Sequence, residues 1–525
     1  MHGTVCLQGL VSDGVFGHAG LQYIECAHGR IHRVRGIRPE QAQKLFAESA
    51  GAVLDARGKL VLPAFIDSHT HLLACARRLL QADAAGVSCV DDLIGLLRAA
   101  PPGDSGFTFA EGLNAAPWEA EERARIRPAL DAAFPTRPVV VKSAEQHSAW
   151  FNRAAWELAG VEAVAARHSL RPRALEAMRS DGRVCGLLYE ALSDALYDLF
   201  TPDERRRTLR EFLATLPALG VGGVHALVGY GSDPALDVRV AMETALSCTE
   251  VDVVVWPRTL RVELARELGL PRIGGCILVD GAIGPRTAAL RRSYDDDPEN
   301  RGVLYFTDGE LERFAAECAA AGLQLCVHGI GDAAIEQVLS AYERLAAAHN
   351  LRALRPRVDH FCLATPQHCA RAARLGVASS MQPAFDHYWG GAERPYFRAL
   401  GSRALRANPL RTALEAGMLV GGGSDAPITP LDPRLGIYAA CNHSCPQERL
   451  SFTQAVELFT SSNAELEFSG ETKGRLSAGC VADFIVMPGG TTGSNIKDQP
   501  VLLTVHRGRI VYAAKDEATC STGEA

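Results

Sequence analysis

The histidines of this 525-residue chain fall where a divalent metal could be gripped. An apolar run, Val61-Leu-Pro-Ala-Phe-Ile-Asp67, leads straight into Asp67-Ser-His69-Thr-His71. On a strand, residues two apart point the same way, so His69 and His71 share a face. Two neutral imidazoles so placed can bind one ion, with Zn–N near about 2.0 Å. A lone His-X-His describes two ordinary histidines equally well. Three further runs end in the same kind of side chain: Cys326-Val-His328, Arg357-Val-Asp-His360 and Gly421-Gly-Gly-Ser-Asp425. Packing accounts poorly for such a set, because each imidazole or carboxylate buried there needs a partner of its own. Two other motifs carry less. Cys441-Asn-His-Ser-Cys445 has no second pair at zinc-finger spacing and reads as structural. Gly421-Gly-Gly423 lacks the Lys-Ser/Thr of a phosphate loop, and its glycines let the backbone bend so that Asp425 reaches a metal.

Something must hold these residues at one height. Eight short apolar runs recur: Val61–Asp67, Pro138–Lys142, Val221–Val228, Gly275–Asp280, Gly322–His328, Pro356–Phe361, Gly376–Ser380 and Gly417–Gly422. Stretches with apolar residues at helical spacing follow several of them, such as the segments beginning at Glu204 and Asp308. Strands alternating with helices predict a parallel sheet, and eight units predict a (β/α)₈ barrel of the α/β class. Such barrels carry their active sites at the C-terminal ends of the strands. The chain ends instead show short alternating pieces with glycine and proline punctuation. The expected organisation is a composite β-sandwich domain from residues 1–60 plus 470–525 around a barrel at 61–469. An insertion within about 79–184 would follow the first strand and also contain the second.

Composition narrows the class. Lys and Arg number 54 against 61 Asp and Glu, leaving a formal charge of −7, which does not suit a nucleic-acid binder. Neither a long apolar span nor a basic, apolar leader is visible, so no membrane segment and no secretory signal are expected. The 15 cysteines are scattered without the density of a disulfide scaffold, which fits a reducing cytoplasm.

Taken together, the motifs resemble the metal-dependent amidohydrolase superfamily, and within it the amidohydrolase family 3, or YtcJ-like, branch. The resemblance runs from Leu60-Val-Leu-Pro-Ala-Phe-Ile-Asp-Ser-His-Thr-His71 through Asp280-Gly-Ala-Ile-Gly-Pro-Arg-Thr-Ala288. It continues in His328-Gly-Ile-Gly-Asp332 and Gly423-Ser-Asp-Ala-Pro427, and ends in Gly474-Arg-Leu-Ser-Ala-Gly-Cys-Val-Ala-Asp-Phe484. It implies one or two divalent ions, with Zn²⁺ expected. His69 and His71 would hold the more buried ion with Asp425 beside it. His328 and His360 would hold the other, or assist the substrate if only one ion binds. Asp425 is also implied as the general base, so that Asp425 and His360 form the catalytic pair. Relatives of this branch carry a carbamylated lysine on the fourth strand, where Cys276 stands here. Cys276 either bridges two ions or is a buried filler, and Lys142 is a second conceivable carbamate donor. His147 sits where relatives have a histidine near the substrate, Glu190 matches a recurrent glutamate of the branch, and Arg286 follows the fourth strand and could meet a substrate carboxylate or carbonyl. A salt bridge or loop-fixing hydrogen bond is the alternative for each.

The implied activity is hydrolysis of a non-peptide C–N bond, whether amide, N-acyl or N-formyl, on a small molecule. Deamination of a heterocycle is the alternative within the same fold, and a non-catalytic barrel scaffold is the other. Such deaminases carry a glutamate three residues after the fifth-strand histidine, where this chain has Gly331. The protein partner entertained is a second copy of the chain, as a homodimer.

Overall fold

The computed structural model describes residues 7–49, 52–144, 148–167 and 172–515. The opening six residues, His147 and residues 516–525 lie outside the described residues. The chain divides into two compact units. The larger comprises Met1–His71, Leu213–Val228 and Ala245–Ala525, and the smaller Leu72–Phe212 with Gly229–Thr244.

Both chain ends contribute sheets to the larger unit. One sheet orders Arg30–Gly36, Gln22–Ala27, Gly9–Ser12 and Val53–Asp55. The other joins Gly14–Val15 and Lys59–Pro63 to Phe484–Pro488, Leu503–His506 and Arg509–Ala513. Leu10, Ile24 and Ile31 from the first share a core with Val61, Phe484 and Val505 from the second. The run Val61–Asp67 is therefore two strands and not one. Lys59–Pro63 pairs antiparallel with Phe484–Pro488, and a separate strand, Phe65–Thr70, starts after Ala64.

Phe65–Thr70 is the first of eight strands that make up three all-parallel sheets. In chain order the others are Val221–Val228, Asp252–Pro257, Arg272–Leu278, Gln324–Gly329, Arg357–His360, Ser379–Met381 and Val420–Gly422. They form a ladder of the third, second and first strands, one of the fourth, fifth and sixth, and one of the seventh and eighth. Single parallel bridges, Arg357 to Ala378 and Thr70 to Ala426, link the three groups at two junctions. Among the described residues no ladder joins the third strand to the fourth, so the sheets do not form a continuously bonded ring. The first, second, fifth and sixth strands are buried along their whole length, as expected of parallel sheets covered on both faces. Ile273, Leu325, Val327, Val358 and Val420 pack in one core with Val338 and Tyr342, which lie on the helix after the fifth strand. Capping boxes at Thr307/Glu310 and Thr365/His368 start two of the covering helices.

One expected barrel strand belongs elsewhere. Pro138–Lys142 forms a strand, at Val139–Ser143, but it lies in the five-stranded sheet of the smaller unit. There it runs parallel to Thr108–Leu113 and antiparallel to Ser148–Phe151. The run Val221–Val228 is thus the second strand, and the third is Asp252-Val-Val-Val-Trp-Pro257, which the pattern of apolar runs did not single out. Periodicity finds a buried strand without saying which sheet will take it. The smaller unit also extends beyond the expected insertion, beginning at Leu72 and passing Val184 to reach Phe212.

Candidate metal centre

The first and eighth strands are laced together where the ligand-type residues stand. The Asp67 carboxylate accepts the backbone N–H of His69 at 3.0 Å and that of Ser424 at 3.1 Å. Asp425 N–H donates to the His69 carbonyl, and His71 N–H donates to that of Ala426. This close approach requires glycine: a Cβ on Gly423 would stand 2.6 Å from the His69 Cβ. As a result Asp425 Oδ1 lies 3.2 Å from His69 Nε2 and 3.0 Å from His71 Nε2.

The other strand ends converge on the same point. Cys276 Sγ lies 3.8 Å from His360 Nε2, and the ligand atoms of His69, Cys276 and His360 fall within 4.8 Å of one another. The rings of His328 and His360 are 4.4 Å apart between centroids. Cys276, His360 and Asp425 all have left-handed backbone, at φ 71°, 70° and 57°. That conformation is costly for residues with a Cβ and clusters where a side chain must be aimed.

Supporting groups define which nitrogen is available. Gln382 donates through Nε2 to the Ser380 carbonyl, so its Oε1 accepts from His360 Nδ1 at 2.7 Å and leaves Nε2 facing Cys276. His69 Nδ1 donates to Asp359 Oδ2 at 2.7 Å, which turns its Nε2 lone pair towards Asp425. Asp359, Arg357 and Gln382 are site residues that sequence reasoning missed. Asp359 lies within a run already singled out, and a buried acid beside a ligand-type histidine was the available signal.

The electrostatics demand positive charge. Burial alone would push the Cys276 thiol up, but the imidazoles of His69, His360 and His71 outweigh it and hold the group well below the usual thiol value. Cys326, equally buried, lacks those contacts and is pushed well up by desolvation. Burial also opposes ionisation of Asp425, yet the close His69 and His71 rings keep it well below the ordinary carboxylate range. For His69, burial is outweighed by Cys276, Asp359 and Asp425, which hold it well above the usual histidine value. His69 Nε2, Asp425 Oδ1 and His328 Nδ1 are buried without a hydrogen-bond partner among the described residues. Two acceptors facing each other across 3.2 Å need a cation or a proton between them. The donor set of imidazoles, thiolate and carboxylate suits a zinc-type ion.

The sequence model of the amidohydrolase family matches residues 52–512. The chain belongs to the amidohydrolase family. This amidohydrolase is 27% identical to a Bacillus subtilis (strain 168) protein named as an amidohydrolase, YtcJ, over 90% of this chain and 93% of that one. It is 26% identical to the N-substituted formamide deformylase of Arthrobacter pascens, over 88% of this chain and 90% of the relative. Its fold matches the crystal structure of an uncharacterised metal-dependent hydrolase from Pyrococcus furiosus, with a TM-score of 0.74 and 24% identity over 93% and 99% of the two chains.

Not every expected site residue of the amidohydrolase joins the cluster. Arg286 sits in the loop after the fourth strand, its Nε 3.0 Å from Asp296 Oδ1 and its Nη1 donating to the Ile283 carbonyl, so its contacts are those of a loop brace. Glu190 lies on the helix Gly186–Asp198, and its side chain is outside the described residues, as is His147. Lys142 stands on the sheet of the smaller unit, opposite Glu111. His443 holds the Cys441–Cys445 segment in place by bonding the Asn408 carbonyl and accepting from Cys445 N–H, at 3.1 Å each. Gly331 donates its N–H to Asp280, and a Cβ there would meet the Ala289 carbonyl oxygen at 1.9 Å. The backbone thus leaves no room for the deaminase glutamate at this position.

Proposed function

We propose that this amidohydrolase cleaves an amide, N-acyl or N-formyl group of a small molecule by attack of water at a zinc centre. The three parallel ladders are read as arcs of one (β/α)₈ barrel, with the composite β domain at 1–60 plus 470–525. The observation that carries the reading is the buried convergence of Asp425 Oδ1 on His69 Nε2 at 3.2 Å and His71 Nε2 at 3.0 Å, three ligand-type atoms that could hold one ion. His69, His71 and Asp425 would hold one ion, and His328 and His360 a second, with Cys276 as the anion between them. A bound divalent ion supplies a water acidified towards a pKa of about 7 and a polarising charge for the carbonyl. Asp425, kept ionised by its imidazole neighbours, accepts the proton released as water attacks and returns it to the leaving nitrogen. His360, its Nδ1 hydrogen taken by Gln382, turns an Nε2 lone pair inward, and without the second ion it would accept a hydrogen from the substrate or the attacking water. The thirteen described cysteines form no disulfide with one another, which suits a cytoplasmic setting.

Metal analysis of the purified protein beside an activity screen on N-formyl, N-acyl and cyclic amide compounds tests this. Zinc in the protein and turnover of one of these classes is expected. Release of ammonia from aminopurines or aminopyrimidines, with every amide left intact, would transfer the site to deamination.

A further inference from the structure

Behind His69, a series of buried charged and polar groups links the first, second and sixth strands. It begins at Asp359, whose carboxylate receives His69 Nδ1. Arg357, two residues earlier on the sixth strand, grips the same carboxylate with both arms of its fork, Nε to Oδ1 at 3.0 Å and Nη2 to Oδ2 at 2.7 Å. Nη2 also donates to the Ser68 carbonyl at 2.9 Å, in the segment between Asp67 and His69. Nη1 reaches His225 Nδ1, on the second strand, at 3.1 Å. A guanidinium can only donate, so His225 Nδ1 is the acceptor and its Nε2 carries the hydrogen. That hydrogen points to Glu467 Oε2 at 3.1 Å, and Lys473 stands 3.2 Å from the other Glu467 oxygen. Donation therefore runs outward from Arg357 in two directions, to the Asp359 carboxylate on one side and through His225 to the Glu467 carboxylate on the other.

A salt-bridged arginine with no exposure needs a reason. Burying such a group costs several kcal/mol that pairing only roughly repays, and a hydrophobic side chain of similar size would fill the space. Arg357 also lies 4.5 Å from the centre of the Trp256 ring, which prevents its plane from tipping. What its fork adds over a point charge is fixed geometry: two parallel bonds define the plane of the Asp359 carboxylate. The Asp359 carboxylate in turn decides where the His69 ring points.

We propose that Arg357 is a positioning residue for the metal centre, acting on His69 through Asp359 and itself held by His225. The proposal rests on the reading that His69 is a metal ligand. Loss of an outer-shell partner of this kind costs about 10- to 100-fold in metal affinity.

The test uses the full-length chain and three variants, Arg357→Lys, His225→Gln and His225→Leu. Zinc affinity is measured by competition with a chelator, the cobalt-substituted proteins are compared by visible absorption, and far-UV circular dichroism reports folding. Arg357→Lys keeps the charge but loses the fork, and is expected to bind zinc about 10- to 100-fold more weakly, with an altered cobalt spectrum. His225→Gln can still accept from Arg357 and donate to Glu467, so it should stay close to the parent in both readouts. His225→Leu should fall with Arg357→Lys. If Arg357→Lys does not fold, the two His225 variants decide alone. A folded Arg357→Lys with parental zinc affinity and cobalt spectrum would overturn the proposal, as would His225→Gln and His225→Leu behaving alike. Should His69→Ala bind zinc as the parent does, the ligand reading fails first and separately.

Discussion

Two side chains at the centre invite decisive substitutions. Asp425→Asn keeps the size of Asp425 but accepts no proton. A fall in kcat of about 100-fold or more is expected, the scale of a general-base contribution. Because Asp425 is also placed as a ligand, turnover is compared at equal measured metal loading, and near-normal turnover at that loading would remove Asp425 from the role. Cys276 is held as a thiolate by the imidazoles around it, and two ions need an anion between them to offset their repulsion. Cys276→Ala should therefore lower zinc from two ions per chain to one and reduce activity, read by elemental analysis and initial rates. Retention of a single ion and full activity by both proteins would make Cys276 packing alone. The His-X-His pair and Asp425 were visible as chemistry in the sequence because their types are costly to bury. Gln382 was not, since an amide acquires its meaning from the ring it touches, and Asp359 was legible only as an acid beside the ligand-type His360.

At the scale of elements, the eighth strand matters through what it lacks. Gly423 packs so closely on the first strand that a Cβ would stand 2.6 Å from the His69 Cβ and 2.8 Å from its backbone nitrogen. Gly423→Ala should force the strands apart and move Asp425 away from the histidines. An unfolding free energy lower by about 1–3 kcal/mol is expected, in the range of overpacking substitutions. Weaker zinc binding should accompany it, checked by denaturant unfolding and chelator competition, and a parental result in both would show that the strand end can yield. The same scale shows where apolar runs mislead. Val139–Ser143 and Val221–Val228 look alike as sequence, yet the former pairs within the smaller unit and the latter with Phe65–Thr70. Partner choice is a tertiary decision.

Across the larger unit, the buried polar series extends from Asp359 to Lys473, which also meets Asp252 at 2.8 Å, while Arg507 at the chain's far end donates to Asp252 at 2.8 Å. This array makes stability depend on pH in a defined direction. Burial keeps His225 neutral, with its pKa lowered to about 4 from the ordinary 6.5. Between those values the unfolded chain takes up a proton at His225 that the folded chain refuses, so stability falls as pH drops through the window. The contribution is at most about 1.4 kcal/mol per pH unit. His225→Gln should remove it, making the thermal midpoint of the variant less steep in pH from about 6.5 down to about 5.5, above the range where most carboxylates protonate. Parallel curves for the two proteins would show that His225 does not titrate on unfolding.

The sequence by itself determined the family, the alternation of strands and helices, and the residue types that gather at the strand ends. Those features are local: period, turn residues and the expense of burying imidazole or carboxylate are written along the chain. Tertiary structure decided which strands pair and where the smaller unit begins and ends. It also decided that Arg286 braces a loop through Asp296 and that Arg357 and Asp359 stand behind His69. These depend on groups up to about three hundred residues apart meeting within hydrogen-bond distance, His69 and Asp359 among them. No local pattern encodes such a meeting, because the energy that selects it comes from desolvating both partners together.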